Sequence, residues 1–449
     1  MAIRNQKETP RNYRGTADWM GSDASVRRVV RNQFAGILET YGFEELETPV
    51  MEYASVLDGK GGPESKLNMY RFQRGRDKLG LRFDQTVPLA RVAAQYANQL
   101  PMPYKRFAIG PVFRADTPQK GRFRQFTQMD FDTLGVEGVI ADAEVLSILS
   151  DVGQRFAFPD FTVRFSDRSL LTGMAESIGA TSREQSLTAI RGWDKIGKVD
   201  RNQVTKEVKK SGLDPRKFNE LTDTLANIGG TNRQRIQQLR QILPDNNPNI
   251  NLGLFRLDKL TTAAESTGIP EGQCLIDPTL ARGLDYYTGP IFEVEASPDI
   301  GSVAGGGRYD NLIEDLGGPS IPATGASFGL ERVISVMSDL GVLPRNEGGV
   351  EVYVTVFNDD LLTESLKVAS QLRKQGINVE LDMSGHKLGK QFKAADSRQA
   401  KLAIVIGPDE VRDGRIAVKN LGQARGGTRS NQRSVDQRDL TDQIKRLLR

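Results

Sequence analysis

The densest set of residues able to do chemistry lies between Phe107 and Gly135, FAIGPVFRADTPQKGRFRQFTQMDFDTLG. The segment has the pattern strand, polar loop, strand. Its second half alternates, so Thr127, Met129 and Phe131 fall on one face and Gln128, Asp130 and Asp132 on the other. One amide and two carboxylates then share a surface. The first half brings Arg114 to the mouth of the loop, and Arg122 and Arg124 begin the return strand. Around Pro118 and Gly121 the loop keeps Arg114, Asp116, Gln119, Lys120 and Arg122 together. Two readings fit: an antiparallel hairpin with a solvated charged face, or a grip for an anion.

Composition narrows the chemistry. The 449 residues suffice for about three modules, each able to bury a core. An apolar content of 38% and a charged content of 26% describe a soluble globular protein, and a net charge of +4 permits a nucleic-acid partner without demanding one. The single cysteine, Cys274, excludes an internal disulfide framework and fits a reducing, cytoplasmic setting. The opening MAIRNQKETPRNYRG lacks the apolar core of a secretory signal, and no apolar run reaches the length of a membrane span. Histidine is scarcer still: His386 alone excludes a multi-histidine metal site, and its place after Ser384 and Gly385 predicts an exposed helix start. Chemistry here must rest on arginine, lysine and carboxylates, which suits charge stabilisation of phosphoryl groups.

The positioning elements follow from periodicity. A helix capped by Ser22 or Asp23 carries Val26, Val29, Val30, Phe34, Ile37 and Leu38 on one face and ends at Gly42; FEELETPVME then extends toward Pro49. Leu81 to Thr86, LRFDQT, alternates, which sets Arg82, Asp84 and Thr86 on one side of a strand before a helix opening at Pro88. From Ser166 to Gly272 the chain turns polar and basic, with helical runs between Gly and Pro breakers: a helical insertion of roughly 90 residues, its basic face either solvated or set against phosphates. Sheet sequence resumes at Cys274. The run AGGGRYD marks a tight turn or a close backbone approach. GASFGLERVISVMSDLG predicts a strand, Gly329, and a helix with Glu331 and Arg332 in its first turn. After the Pro- and Gly-rich GVLPRNEGG, strands and helices alternate, with LAIVIG apolar enough to be covered on both faces.

FRADTPQKGRFRQFTQMDFDTLG resembles the second signature motif of class II aminoacyl-tRNA synthetases, and LARGLDYYTGPIFE, Leu280 to Glu293, resembles a histidine-site signature of the histidyl-tRNA synthetases. The resemblance runs over nearly the whole chain. It implies an α/β (α+β) fold: a class II antiparallel sheet core flanked by helices over 1–340, with the helical insertion at 175–268, a linker at 341–349, and a C-terminal α/β anticodon-binding domain at 350–449. The first helix and the Pro-terminated strand would form the first motif, at the interface of a homodimer.

The resemblance also implies the site. Asp84, Gln85, Thr86 and Gln128 would hold the α-amino end of L-histidine, and Asp132, Tyr286 and Tyr287 its imidazole, with AGGGRYD as the second histidine-pocket segment. Arg114 and Arg282, with Gln128, would be the catalytic set. Arg114, Asp116, Phe126 and Arg332 would bind ATP, with Phe126 on adenine and Arg332 on the outer phosphates. Mg2+ would arrive with ATP, no protein ligand being assigned to it. Gln119, Lys120 and Arg122 would touch the tRNA acceptor end. The implied activity is ATP-dependent formation of histidyl-adenylate and transfer to the 3′ end of tRNA(His), with no membrane partner. The alternative is a non-catalytic histidine-binding regulatory relative, a type that lacks the C-terminal domain and has eroded arginines; a synthetase for threonine or proline is a third, against which RGLDYYTG speaks. One departure stands out. Bacterial members often carry Arg-x-Glu-Arg-Pro where this chain has Arg114, Ala115, Asp116, Thr117 and Pro118, which leaves open how the extra 5′ nucleotide of tRNA(His) is read.

Overall fold

The computed structural model describes residues 10–58, 68–197, 199–270, 272–281, 286–297, 301–344, 349–421 and 432–448. The chain forms two compact units, one holding Arg27–Pro344 with the segment that ends at Trp19, the other holding the chain from Arg345 onward with Met20–Val26.

The first unit is built on an eight-stranded sheet in the order β1-β5-β6-β11-β10-β9-β7-β8. These strands are β1 Glu44–Glu45, β5 Tyr104–Phe113, β6 Gln125–Leu134, β7 Thr162–Asp167, β8 Cys274–Ile276, β9 Pro290–Glu295, β10 Ser302–Arg308 and β11 Ala323–Gly329. Pairing is antiparallel from β5 through β7 and parallel only at the two margins, β1 with β5 and β7 with β8. A smaller antiparallel sheet joins β2 Met51–Tyr53, β3 Arg71–Arg74 and β4 Asp77–Leu81 in the order β2-β4-β3.

Helix Gly21–Thr40 begins just before the predicted caps, so that Ser22 and Asp23 fall in its first turn, and its Val30, Phe34 and Leu38 are buried. Phe34 meets Phe131 and Phe328 edge-on or tilted, at 6.4 and 5.8 Å between ring centroids. Gly42 stops the helix at φ +77°, a conformation an L side chain resists.

Three local expectations change. Arg122 and Arg124 belong to the loop, because the Arg124 amide donates to Gly15 O at 2.7 Å and the ladder starts only at Gln125. LRFDQT is not a strand: β4 ends at Leu81, and the helix opens at Thr86, where Asp84 Oδ1 accepts from Val87 N at 3.0 Å and caps the turn. Arg82 therefore does not share a face with Asp84 and Thr86; it is buried and donates to Pro111 O and Thr48 O. Finally, of the two readings of AGGGRYD, its glycines bear out the close backbone approach and not the turn. They lie within β10 because its neighbours are too close for side chains: a Cβ at Gly306 would sit 2.0 Å from Gly325 O, and one at Gly307 2.7 Å from Pro290 O.

The polar, basic stretch folds into helices Arg168–Ser177, Arg183–Lys195, Arg201–Lys210, Pro215–Ala226, Asn232–Ile242 and Pro248–Ser266. Asp167, Ser182, Asp200, Asp214, Thr231 and Asn247 cap them in turn, which explains how so polar a sequence holds helices. Trp193 stacked on Phe218 at 5.5 Å anchors the core of this stretch.

The second unit is a mixed five-stranded sheet in the order β13-β12-β14-β15-β16: β12 Val352–Val354, β13 Val379–Leu381, β14 Leu402–Val405, β15 Arg415–Asn420 and β16 Gln432–Asp436. The continuously apolar LAIVIG is β14, parallel to β12 and antiparallel to β15, with Leu402, Ala403 and Ile404 wholly buried. Helices Leu362–Arg373 and Leu440–Leu448 supply Val368, Leu372 and Ile444 to the same core. His386 is exposed just before helix Leu388–Ser397, as its sequence context predicts. The linker expectation at 341–349 falls partly outside the described residues. No helix among the described residues is long and apolar enough to cross a membrane.

Replacing Gly306 with alanine is expected to force β10 away from β11 and cost about 1–3 kcal/mol, measured by denaturant unfolding. Unchanged stability would show that the two backbones are not in contact.

Candidate active site

The site is a consequence of register. Across β6, Arg106 of β5 stands opposite Asp132, Ala108 opposite Asp130 and Gly110 opposite Gln128; on the other side Gly325, Ser327 and Gly329 of β11 face the same three. Each polar residue of β6 has a small residue on at least one side. A Cβ at Gly325 would lie 2.3 Å from Asp132 Oδ1, and one at Gly110 2.4 Å from Arg82 Nη2, so the glycines let charged side chains lie over the sheet. The polar face of β6 is not solvated: Gln128, Asp130 and Asp132 are all buried, and a cavity of about 650 Å³ opens over it. The wet-hairpin reading is thereby replaced.

At the bottom sits Arg106, 1% exposed, with Asp132 at 2.8 Å and Gln85 O accepting from its Nη2 at 3.1 Å. Asp132 also accepts a short hydrogen bond from the Tyr309 hydroxyl. Burial raises all three carboxylates above the ordinary aspartate range. Asp130 is pushed up to about 7, burial and Asp132 acting against Arg106; Asp84 reaches about 6, with Val87 N and Arg114 holding it down; Asp132 is raised despite Arg106 and Tyr309.

Asp84, Thr86, Gln128, Asp132, Tyr286 and Tyr287 all line the cavity. Tyr286 packs edge-on against Tyr287 at 4.9 Å and Tyr309 at 5.9 Å, and its hydroxyl is hydrogen-bonded with Thr86. Gln85 does not join them: its amide donates to Gln128 O at 2.9 Å and bolts the segment before the helix to β6.

Arg114, Asp116, Phe126 and Arg332 line the same cavity. Arg114 donates from Nε to Phe83 O at 2.9 Å and lies over the Phe126 ring at 5.2 Å. Asp116 pairs with Arg122, also a lining residue, at 3.0 Å. Arg332 donates to Ser302 O at 2.5 Å, and Glu331 beside it accepts from Arg27 at 2.8 Å and from Thr127 N at 3.0 Å, which locks helix Leu330–Asp339 to the start of β6. Gln119 and Lys120 lie on the exposed turn outside the cavity, Lys120 against Asp339 at 3.0 Å. Arg282 lies outside the described residues; Ala281 and Tyr286 on either side of that segment line the cavity.

Sequence reasoning passed over Arg106, Tyr309 and Ser327. Tyr309 carried a signal, since it belongs to the AGGGRYD run. Ser327 becomes visible only when β11 is set against β6, and nothing local announces that Arg106 is buried.

Residues 15–333 match the family described as histidyl-tRNA synthetase, and residues 351–447 match the anticodon binding domain. The chain belongs to the histidyl-tRNA synthetase family. Similar proteins named histidine–tRNA ligase include that of Rhodopirellula baltica, 36% identical over 92% of this chain and 93% of that one. That of Clostridium tetani is also 36% identical, over 91% and 93%. Among solved structures, the histidyl-tRNA synthetase of Nostoc sp. PCC 7120 superposes with a TM-score of 0.82 at 30% identity, over 98% of this chain and 100% of that one. A Bacillus halodurans C protein described as an ATP phosphoribosyltransferase regulatory subunit/histidyl-tRNA synthetase shares the fold at 20% identity and a TM-score of 0.71. The regulatory reading is disfavoured, because the full-length ligases match this chain through its second unit.

Because burial lifts Asp84 to about 6 and Asp130 to about 7, the folded protein retains protons that the unfolded chain has released above about pH 4. Ligand-free stability should therefore fall from these groups as pH rises from about 4 to 7. Thermal unfolding of wild type and Asp130→Asn across that window should show a flatter slope for the variant; identical slopes would contradict the raised value.

Proposed function

We propose that the cavity activates L-histidine with ATP, forming histidyl-adenylate and pyrophosphate, and that the histidyl group then passes to the 3′ end of tRNA(His) with release of AMP. The observation that carries this reading is the meeting of two opposite chemistries in one cavity: carboxylates and an amide over β6, guanidiniums at Arg114 and Arg332. Asp84 and Gln128 suit an ammonium group. Asp132, held by Arg106 and Tyr309, suits an imidazole N–H, and a site built to hydrogen-bond a ring rejects apolar analogues strongly.

In the first step a carboxylate oxygen of histidine bonds to the α-phosphorus and the bond to pyrophosphate breaks, the electron pair leaving with pyrophosphate. Two anions must approach. At an effective dielectric near 20, a unit charge about 4 Å away contributes roughly 4 kcal/mol, the scale on which Arg114 lowers that barrier. Arg282 belongs to the same expectation. Arg332 would hold the outer phosphates and Phe126 the adenine. Mg2+ bound with ATP would neutralise the triphosphate further. The described residues hold no cluster of three ligating side chains, yet an ion carried by phosphates needs only one or two carboxylates, and Glu293 and Glu295 on one face of β9 line the cavity. In the second step a ribose hydroxyl of the tRNA end attacks the carbonyl carbon and AMP leaves.

Gln119, Lys120 and Arg122 would meet the acceptor end, the helical insertion at 175–268 the acceptor stem, and the second unit the anticodon. We also propose a cytoplasmic homodimer, supported by the exposed apolar side chains of the small sheet, Met51 and Tyr53 at 57% and Phe72 at 40%. The particle should then have twice the 49.6 kDa chain mass by light scattering.

ATP–pyrophosphate exchange measured with each amino acid in turn is expected to respond to histidine alone, and purified tRNA(His) to be charged. Arg114→Ala should lower exchange about 10²–10³-fold, as loss of one charge-stabilising donor does. Exchange driven equally by another amino acid, or near-normal turnover in the variant, would overturn the reading.

A further inference from the structure

We infer that Asp130 and Ser327 are a positioning pair that sets the Gln128 amide, so that its Oε1 rather than its Nε2 faces the cavity and accepts a hydrogen bond from the α-ammonium group of the bound amino acid. This rests on the amino-acid-activating reading of the cavity.

The argument is a count of protons. Ser327 stands directly opposite Asp130 across the β6–β11 ladder, and its hydroxyl makes a short hydrogen bond to Asp130 Oδ1. The second neighbour of Ser327 Oγ is the Gln128 amide, at 2.7 Å. Above the value of about 7 to which burial lifts it, Asp130 is an ionised carboxylate that only accepts, so the single hydroxyl proton belongs to the bond between Ser327 and Asp130. Ser327 Oγ can then only accept from Gln128, and the group meeting it must be Nε2. Were the amide turned over, Ser327 would have to donate two hydrogen bonds with one proton.

The other end of the amide is fixed by the same count. Gln128 Oε1 is buried, has no hydrogen-bond partner among the described residues, and belongs to a side chain that lines the cavity. Gln85 holds the Gln128 backbone through Gln128 O, and the Ser327 hydroxyl holds the Nε2 end of the amide. A buried, unpartnered acceptor on a side chain that lines the cavity selects an N–H donor and repels a carboxylate or phosphate oxygen. The amino acid is thereby turned with its ammonium toward β6 and its carboxylate away from it. Asp130 does not line the cavity; it acts through Ser327.

The test is steady-state exchange kinetics at pH 8, above the value of about 7 to which burial lifts Asp130, together with binding of histidinol, which keeps the ammonium, and imidazolepropionate, which lacks it. Ser327→Ala is expected to raise KM for histidine by about tenfold or more, the effect of one charge-assisted hydrogen bond, with a smaller change in kcat and none in KM for ATP. Asp130→Asn can donate to Ser327, which frees the hydroxyl proton to turn the amide over, and a similar rise is expected. Both changes act through one amide, so the double variant should be no worse than the weaker single one, and Ser327→Thr should recover most of the loss. Histidinol should lose affinity in step with histidine, while imidazolepropionate binds wild type and variants alike. Equal losses for both ligands, additive single effects, or an unchanged KM in Ser327→Ala would overturn the inference. Absence of histidine-dependent exchange in the wild type would instead overturn the functional reading beneath it.

Discussion

The polar face of β6 depends on one buried guanidinium. Arg106 lies at the bottom of the sheet face, 1% exposed, among Asp132, Asp130 and Asp84. A lone buried cation or a lone buried carboxylate is costly, and each is tolerable here only because the other is present. The arrangement keeps the acceptors buried against the sheet, beside the cavity. Burial still lifts every one of the three carboxylates above the ordinary aspartate range, which is the imbalance that the proposed ammonium group of the amino acid would relieve. Site chemistry and fold energetics are the same balance of charge.

The sheet makes this possible by leaving side chains out. Gly110 makes room for Arg82, Gly325 for Asp132, and the glycines of β10 let β9, β10 and β11 pack without side-chain bulk between them. The cavity therefore rests on backbone rather than on loops, which suits a site whose groups must be held to a fraction of an ångström. The arginine-lined end, proposed to face the phosphates, is built differently. There Arg114, Arg122 and Arg332 come from a strand end, a loop and a helix, and their tethers to Phe83 O, Asp116 and Ser302 O cross between elements.

Much of this was legible before any coordinates. The alternation of Gln128, Asp130 and Asp132 fixed their shared face, and the strand, glycine, helix pattern at Gly329 placed Arg332 correctly. Two kinds of information were missing. Whether a polar face is wet depends on what covers it, and the eight-stranded sheet with its insertion is a long-range outcome that no local period encodes. Pairing across strands is equally silent in sequence: Arg106 with Asp132, or Ser327 with Asp130, joins residues whose separation is set by hairpin register and not by any motif. The misreading of LRFDQT had a local cause. Alternation suggested a strand, but an aspartate able to cap Val87 N and a proline tolerant of a first turn favoured an earlier helix start.

The central claim is that the buried carboxylate face of β6 receives the amino acid while the arginines receive the nucleotide. A crystal structure with histidine and a non-hydrolysable ATP analogue tests it most directly. The account predicts an imidazole nitrogen at roughly 3 Å from Asp132, a hydrogen-bonding separation, the ammonium between Asp84 and Gln128, and the phosphates against Arg114 and Arg332. A histidine bound with its ring away from Asp132, or a triphosphate lying over β6, would contradict it.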